Sequence, residues 1–260
     1  MAYERIILEF VGDVALITLN HPESRNALSW QLARELGDAL DKLGNARALV
    51  ITGAGKGFCS GGDMAAGVPD GMGFGDMIEQ GLTDAVNPML RKLAALKIPV
   101  VAAVNGAAAG AGAPLALHAD FVIAGTSAFF YFAFPNVGLA LDAGASWLLP
   151  RLVGSARAAE ALVLAERIPA AKALDWGMIY KVVPDEDLLA DAKALAARLA
   201  AGPTMSYGLI RQAVQSGWAS DYETALRTEE TAQRISGNSQ DCAEAVTAFL
   251  EKRAPVFRGE

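Results

Sequence analysis

Cysteine, histidine and positive charge are all scarce in this 260-residue chain. Its two cysteines, Cys59 and Cys242, stand far apart and show no metal-ligand spacing. That excludes a disulfide framework and leaves a reduced, cytoplasmic protein as the expectation. The two histidines, His21 and His118, offer no evident partner that would turn Cys59 into a thiolate nucleophile. Cys59 is therefore expected to be a small buried residue. Lys and Arg together number 22 against 29 Asp and Glu, for a net charge of −7. Broad binding to a nucleic-acid backbone is disfavoured, and an anionic ligand would need a local basic patch. The N-terminus MAYERIILEF lacks a basic stretch followed by a long apolar one, so no signal peptide is expected. Acidic and basic residues are also missing from Ile98 to Ala119. Pro99, Gly106, Gly110, Gly112 and Pro114 interrupt that run, so it does not suit one membrane-spanning helix. It reads as a buried strand, a glycine turn and a buried helix, with no membrane partner.

What is present is apolar: 53% of the residues, against 20% charged. A sizeable core follows, in one large domain or one domain with an appendage. ERIILEFVGDVALITLN reads as two strands about a Gly12-Asp13 turn. Leu32, Leu36, Leu40 and Leu43 recur at helical spacing across 29–44. ALVIT, PVVAAVN and DFVIAG read as strands, with a glycine-rich, mobile-looking stretch at 66–82 and a helix over 83–97. Strands alternating with helices predict an α/β core with a mixed sheet over residues 1–184. The remainder, 185–260, reads as helical.

The stretch ALVITGAGKGFCSGGDM, residues 48–64, has a strand feeding a glycine-rich loop. It is not a P-loop, because Val50 stands where the first glycine belongs and Gly57 follows Lys56. Nor is it a dinucleotide fingerprint, because the third glycine would fall at Phe58.

Taken with VNGAAAGAGAPLALHAD, FPNVGLALDAGASWLLPRLVG, NHPESRNALS, WGMIYKVVP and FLEKRAPVF, this loop resembles the crotonase (enoyl-CoA hydratase/isomerase) superfamily over nearly the whole chain. Within it, the sequence is most similar to isomerases of 1,2-epoxyphenylacetyl-CoA and Δ3-enoyl-CoA. The resemblance implies a ClpP/crotonase-like ββα spiral core, a C-terminal helical trimerisation region, and a homotrimer or dimer of trimers. It implies an acyl-CoA substrate and no separate cofactor or metal, since coenzyme A belongs to the substrate. The ligand would contact Arg25, Ala27, Lys56, Ser60, Gly62, Asp63, Met64 and Lys252. Arg25 and Lys56 are the leading cations for its phosphates, and Lys252 is a weaker one. The backbone N–H groups of Gly62 and Ala111 would form an oxyanion hole for a thioester enolate.

The same resemblance bears on the reaction. Family hydratases use two glutamates, at positions held here by Pro114 and Phe134. Asp142 falls where family isomerases carry an acid, and one base suffices for isomerisation. Judged from its surroundings alone, Asp142 reads as a helix N-cap before ASWLLPRL, whereas the resemblance makes it the catalytic acid. Arg91 stands where family dehalogenases carry a histidine. Leu141 and Ala145 replace the proline and glycine usual in the isomerase pattern, which bears on the turn that aims Asp142. The expected activity is an acyl-CoA isomerase with Asp142 as proton shuttle. The alternatives are a hydratase with a non-standard acid/base pair and a non-catalytic acyl-CoA-binding protein.

Overall fold

The computed structural model describes residues 3–63 and 67–260. The chain opens with β1 (Ile6–Val11) and β2 (Val14–Leu19), antiparallel about Gly12. Helix α1 (Trp30–Leu40) follows, capped by the Ser29 hydroxyl, which accepts from the Leu32 N–H at 3.2 Å. Three ββ units come next, each giving one strand to a large sheet and one to a small sheet. They are β3 (Ala48–Gly53) with β4 (Gly57–Cys59), β5 (Val100–Val104) with β6 (Ala107–Ala109), and β7 (Phe121–Gly125) with β8 (Phe129–Tyr131). Between the first two units lie α2 (Phe74–Gly81), a π-helical turn over Leu82–Val86, and α3 (Asn87–Ala95). Helix α4 (Gly112–Leu117) joins the second unit to the third. After β8 come α5 (Ala145–Val153), α6 (Ser155–Ala159), β9 (Ile168–Pro169), α7 (Ala170–Asp175) and β10 (Lys181–Val183). The chain closes with α8 (Leu188–Ala200), α9 (Thr204–Gly217), α10 (Tyr222–Gly237) and α11 (Gln240–Glu251).

The large sheet runs β1-β2-β3-β5-β7-β10, parallel throughout except for β1 against β2. The small sheet runs β4-β6-β8-β9, with β8 and β9 antiparallel. Each ββ unit therefore makes one turn of a spiral, the crotonase fold. Strand composition explains why the large sheet is covered on both faces. In β3 and β5, Leu49, Ile51, Val100, Ala102 and Val104 enter the main core, between the large sheet and α1, α3 and α4. Their neighbours Ala48, Val50, Val101 and Ala103 point the other way and meet Leu188, Ala192, Leu195, Ala196 and Leu199 of α8.

The expected division at 184/185 thus falls just before a helix that closes the back of the sheet. Helices standing clear of the sheet begin at α9. The stretch expected to be loose between 66 and 82 is helical from Phe74 onward. Among the described residues, no helix is long and apolar enough to cross a membrane.

Helix α9 is fastened to the core by Arg211, whose side chain is 4% exposed. Its Nε donates to both Asp120 oxygens, at 2.7 and 2.9 Å. Its other nitrogens donate to the Leu93, Ala94 and Leu96 carbonyls at the end of α3. Asp120 also accepts the Val100 N–H at 2.8 Å, so one carboxylate ties α9 to the start of β5. Arg211→Ala strands Asp120 and three helix-end carbonyls. We expect a loss of about 3 kcal/mol, the low end for a broken buried pair because Asp120 keeps some water, read from the midpoint of urea unfolding.

Candidate functional site

The loop after β4 and the N-terminus of α4 approach more closely than side chains permit. A Cβ on Gly112 would lie 2.3 Å from the Cys59 carbonyl oxygen. Gly61 has φ +92, and a Cβ there would lie 2.8 Å from the Ala109 oxygen and 3.3 Å from the Ala111 nitrogen. Only glycine allows both approaches. The Gly61 carbonyl accepts the Leu28 N–H at 2.7 Å, which pins the loop to the chain ahead of α1. The result is that Gly62 and Ala111 border one cavity, of about 170 Å³. Among the described residues, neither the Gly62 nor the Ala111 N–H has a hydrogen-bond acceptor, and a Cβ at Gly62 would meet nothing within 4 Å.

Asp142 lines the same cavity. It lies in the segment entering α5, whose N-cap is Gly144 and has no side-chain cap. The capping role that the sequence left open is therefore not what the carboxylate does. Its Oδ1 is buried and, among the described residues, finds no hydrogen-bond partner. Burial alone raises its pKa from 3.8 to about 6. Around it the walls are apolar: Trp30 from α1, Phe74, Met77 and Ile78 from α2, and Phe134 and Leu139 from the segment before Asp142. Such a chamber can hold an apolar group beside one poorly solvated carboxylate and two unpaired N–H donors.

The expected site residues divide into three sets. Gly62, Ala111, Asp142, Ser60 and Asp63 are brought together on the cavity wall. Ala27 is buried just before Leu28, Arg25 and Lys56 are exposed on the neighbouring turns, and Lys252 is exposed as the C-cap of α11. These four are not among the cavity-lining residues. Met64 lies outside the described residues. Arg25 supports the loop through its carbonyl, which accepts the Ser60 N–H at 3.0 Å. Pro114 is buried in α4 and Phe134 faces the cavity, so neither position presents a proton-transfer group. Cys59 is buried, and desolvation pushes its thiol up to about 11, which keeps it protonated.

Sequence reasoning expected residues 66–82 to cover the pocket, and α2 in that stretch supplies Phe74, Met77 and Ile78, but it missed the wall from Trp30 of α1 and how the two helices meet. Their one legible signal is Gly81, where a Cβ would lie 2.3 Å from the Trp30 indole. Glycine there lets the ring lie between the two helices.

A spiral of ββα units enclosing an apolar cavity with unpaired backbone donors defines a crotonase-fold protein. The enoyl-CoA hydratase/isomerase family model matches residues 9–260, so the chain belongs to that family. It is 43% identical over 260 residues to the 1,2-epoxyphenylacetyl-CoA isomerase of Escherichia coli K12, covering 99% of each chain. It is 44% identical to a protein of Rhodobacter capsulatus named a probable enoyl-CoA hydratase, covering 100% of each. The crystal structure of an enoyl-CoA hydratase from Bacillus anthracis superposes with a TM-score of 0.92 at 31% identity, covering 99% of this chain and 100% of that one.

The raised pKa of Asp142 has a consequence for stability. Between pH 3.8 and about 6 the folded protein holds a proton that the unfolded chain releases. The contribution of this group is present below pH 3.8 and is lost as pH rises through about 6. Asp142→Asn carries no such cost. We expect its melting temperature to exceed that of the wild type at pH 7, with the gap closing as pH falls below 5. Equal melting temperatures at every pH would show that the carboxylate is not desolvated.

Proposed function

We propose that this protein is an acyl-CoA isomerase in which Asp142 shuttles a proton beneath an enolate held by the Gly62 and Ala111 N–H groups. The observation that carries the reading is the Asp142 carboxylate, whose Oδ1 is buried without a hydrogen-bond partner among the described residues, in a cavity bordered by Gly62 and Ala111. For a 3-enoyl thioester, the Asp142 carboxylate takes a proton from C2. The electron pair moves to the thioester oxygen, where the two N–H groups stabilise the charge. The resulting carboxylic acid returns the proton at C4, leaving the double bond between C2 and C3. Desolvation favours this cycle, because a carboxylate with a pKa near 6 is a stronger base than an ordinary one and is still ionised at neutral pH. An epoxide in place of the double bond would use the same donors and base. Hydration by a glutamate pair has no counterpart at Pro114 and Phe134, and this supports isomerisation over water addition.

The coenzyme A portion would lie along Ser60, Gly62 and Asp63, with Arg25 and Lys56 exposed on the adjoining turns for its phosphates and Lys252 a third cation on α11. We also propose a homotrimer or dimer of trimers built through the C-terminal helices. Helix α10 has no buried residue, and Val246, Phe249 and Leu250 of α11 are exposed.

Purified protein offered trans-3-hexenoyl-CoA and 1,2-epoxyphenylacetyl-CoA should isomerise one of them, as read by mass spectrometry and ultraviolet absorbance. Asp142→Asn should bind acyl-CoA normally and lose about 10²–10⁴-fold in kcat, the range for a positioned acid–base group. A 3-hydroxyacyl-CoA product carrying ¹⁸O from solvent would replace this reading with a hydratase. Tight binding without turnover across a broad thioester panel would make the protein an acyl-CoA binder.

A further inference from the structure

We propose that His118 is a positioning residue of this site, its ring Nε2–H donating to the Ala143 carbonyl and so fixing the turn that carries Asp142. The inference rests on the reading of Asp142 as the base. The ring nitrogen and the carbonyl oxygen are 3.1 Å apart. A carbonyl can only accept, so the proton sits on Nε2 and Nδ1 is left bare in the neutral ring. Burial, the first cause, together with the nearby Arg211 charge, lowers the pKa of His118, and its bond to Ala143 only partly opposes this. The ring is therefore a neutral donor at physiological pH.

The turn needs such a restraint. Ala143 and Gly144 are consecutive residues in the left-handed region, with φ 49 and 79. Glycine adopts that conformation freely, but alanine does so only where its surroundings hold it. Ala143 is 2% exposed, so its methyl group is held by the core. Its carbonyl has His118 as its partner. The ring also stands against Gly144, where a Cβ would lie 3.4 Å from Nε2. At Gly144 the backbone can thus pass close under the imidazole. The restraint sits immediately beside Asp142, whose Oδ1 has no hydrogen bond among the described residues to orient it. With no direct bond available to that oxygen, its aim depends on the backbone.

His118 is also the C-cap of α4, and its N–H donates to the Pro114 carbonyl at 3.1 Å. Ala111 is the N-cap of the same six-residue helix. A single rigid element therefore carries an oxyanion donor at one end and the restraint on the base at the other. Any shift of α4 moves both together, which preserves the distance between the enolate oxygen and the proton acceptor.

The test compares His118→Leu, which removes the donor, with His118→Gln, whose amide can still donate from a similar position. Hydrogen–deuterium exchange is followed across residues 139–149, and kcat and KM are measured on the acyl-CoA that the wild type turns over. We expect His118→Leu to exchange faster in that segment and to lose about tenfold or more in kcat with KM little changed, as for a misaimed reactive group. His118→Gln should restore most of both. Wild-type exchange and kcat in His118→Leu would overturn the proposal, as would equal impairment in the two variants. Asp142→Asn is run alongside. If it turns over at the wild-type rate, the base reading fails, while the exchange data still decide whether His118 holds the turn. Should the variants not fold, the ¹⁵N shifts of His118 in the wild-type protein remain: protonation on Nδ1 instead of Nε2 would overturn the proposal.

Discussion

The site exists because two backbone segments come closer than any side chain would allow. Gly61 lies against Ala109–Ala111, and Gly112 lies against the Cys59 carbonyl. The spiral creates this contact by placing β4 and β6 side by side in the small sheet, parallel and with a register shift between Gly57 and Cys59. Both strands then end at the same level. Beyond them, Gly62 forms a lone parallel bridge with Leu28, yet among the described residues no acceptor receives the N–H of Gly62 or of Ala111. Unpaired donors inside a fold are costly, and they persist where the surroundings leave no alternative. Here the surroundings are a bound loop on one side and a short buried helix on the other.

Asp142 adds a second cost of the same kind. A carboxylate facing an apolar wall, with one oxygen unsatisfied, stabilises nothing in the folded state at neutral pH. The fold tolerates it because stability is secured elsewhere. The large sheet is covered on both faces, by the main core on one side and α8 on the other. Arg211 and Asp120 join α9, α3 and β5 through one buried ion pair. The Asp142 carboxylate and the left-handed Ala143 sit apart from that ion pair, in the turn before α5.

Legibility in the sequence followed the range of the interactions. The strands ALVIT, PVVAAVN and DFVIAG and the capped helix at Ser29 depend on neighbours in the chain, and their positions were readable directly. The glycine loops were readable as close approaches, though not from spacing alone as to what they approach. Asp142 was ambiguous, because a carboxylate before ASWLL has the pattern of a helix cap. The cap proved to be Gly144, which could not be read from the chain because it depends on the left-handed turn at Ala143 and Gly144. Helix α8 looked like the first piece of an appendage because its alanines and leucines fit any packing surface. Only the second face of the sheet gives them a destination.

The cavity walls show the same limit from the other side. Phe74, Met77 and Ile78 sit in a stretch that glycines make look irregular, yet α2 forms there and runs on through the π turn into α3. Helix α2 presses against Trp30 without a side chain at Gly81 to separate them. The indole is thereby a shared wall of α1 and α2, and the cavity depends on both helices keeping their spacing. The cavity is therefore bounded by a helical contact that can be adjusted independently of Gly62, Ala111 and Asp142. A change at Trp30 or in α2 reshapes the space offered to the apolar group while leaving the donors and the carboxylate where the sheet and α4 put them. On the proposed reading, the groups that would hold an enolate and the wall that would meet the acyl group are thus built on different elements.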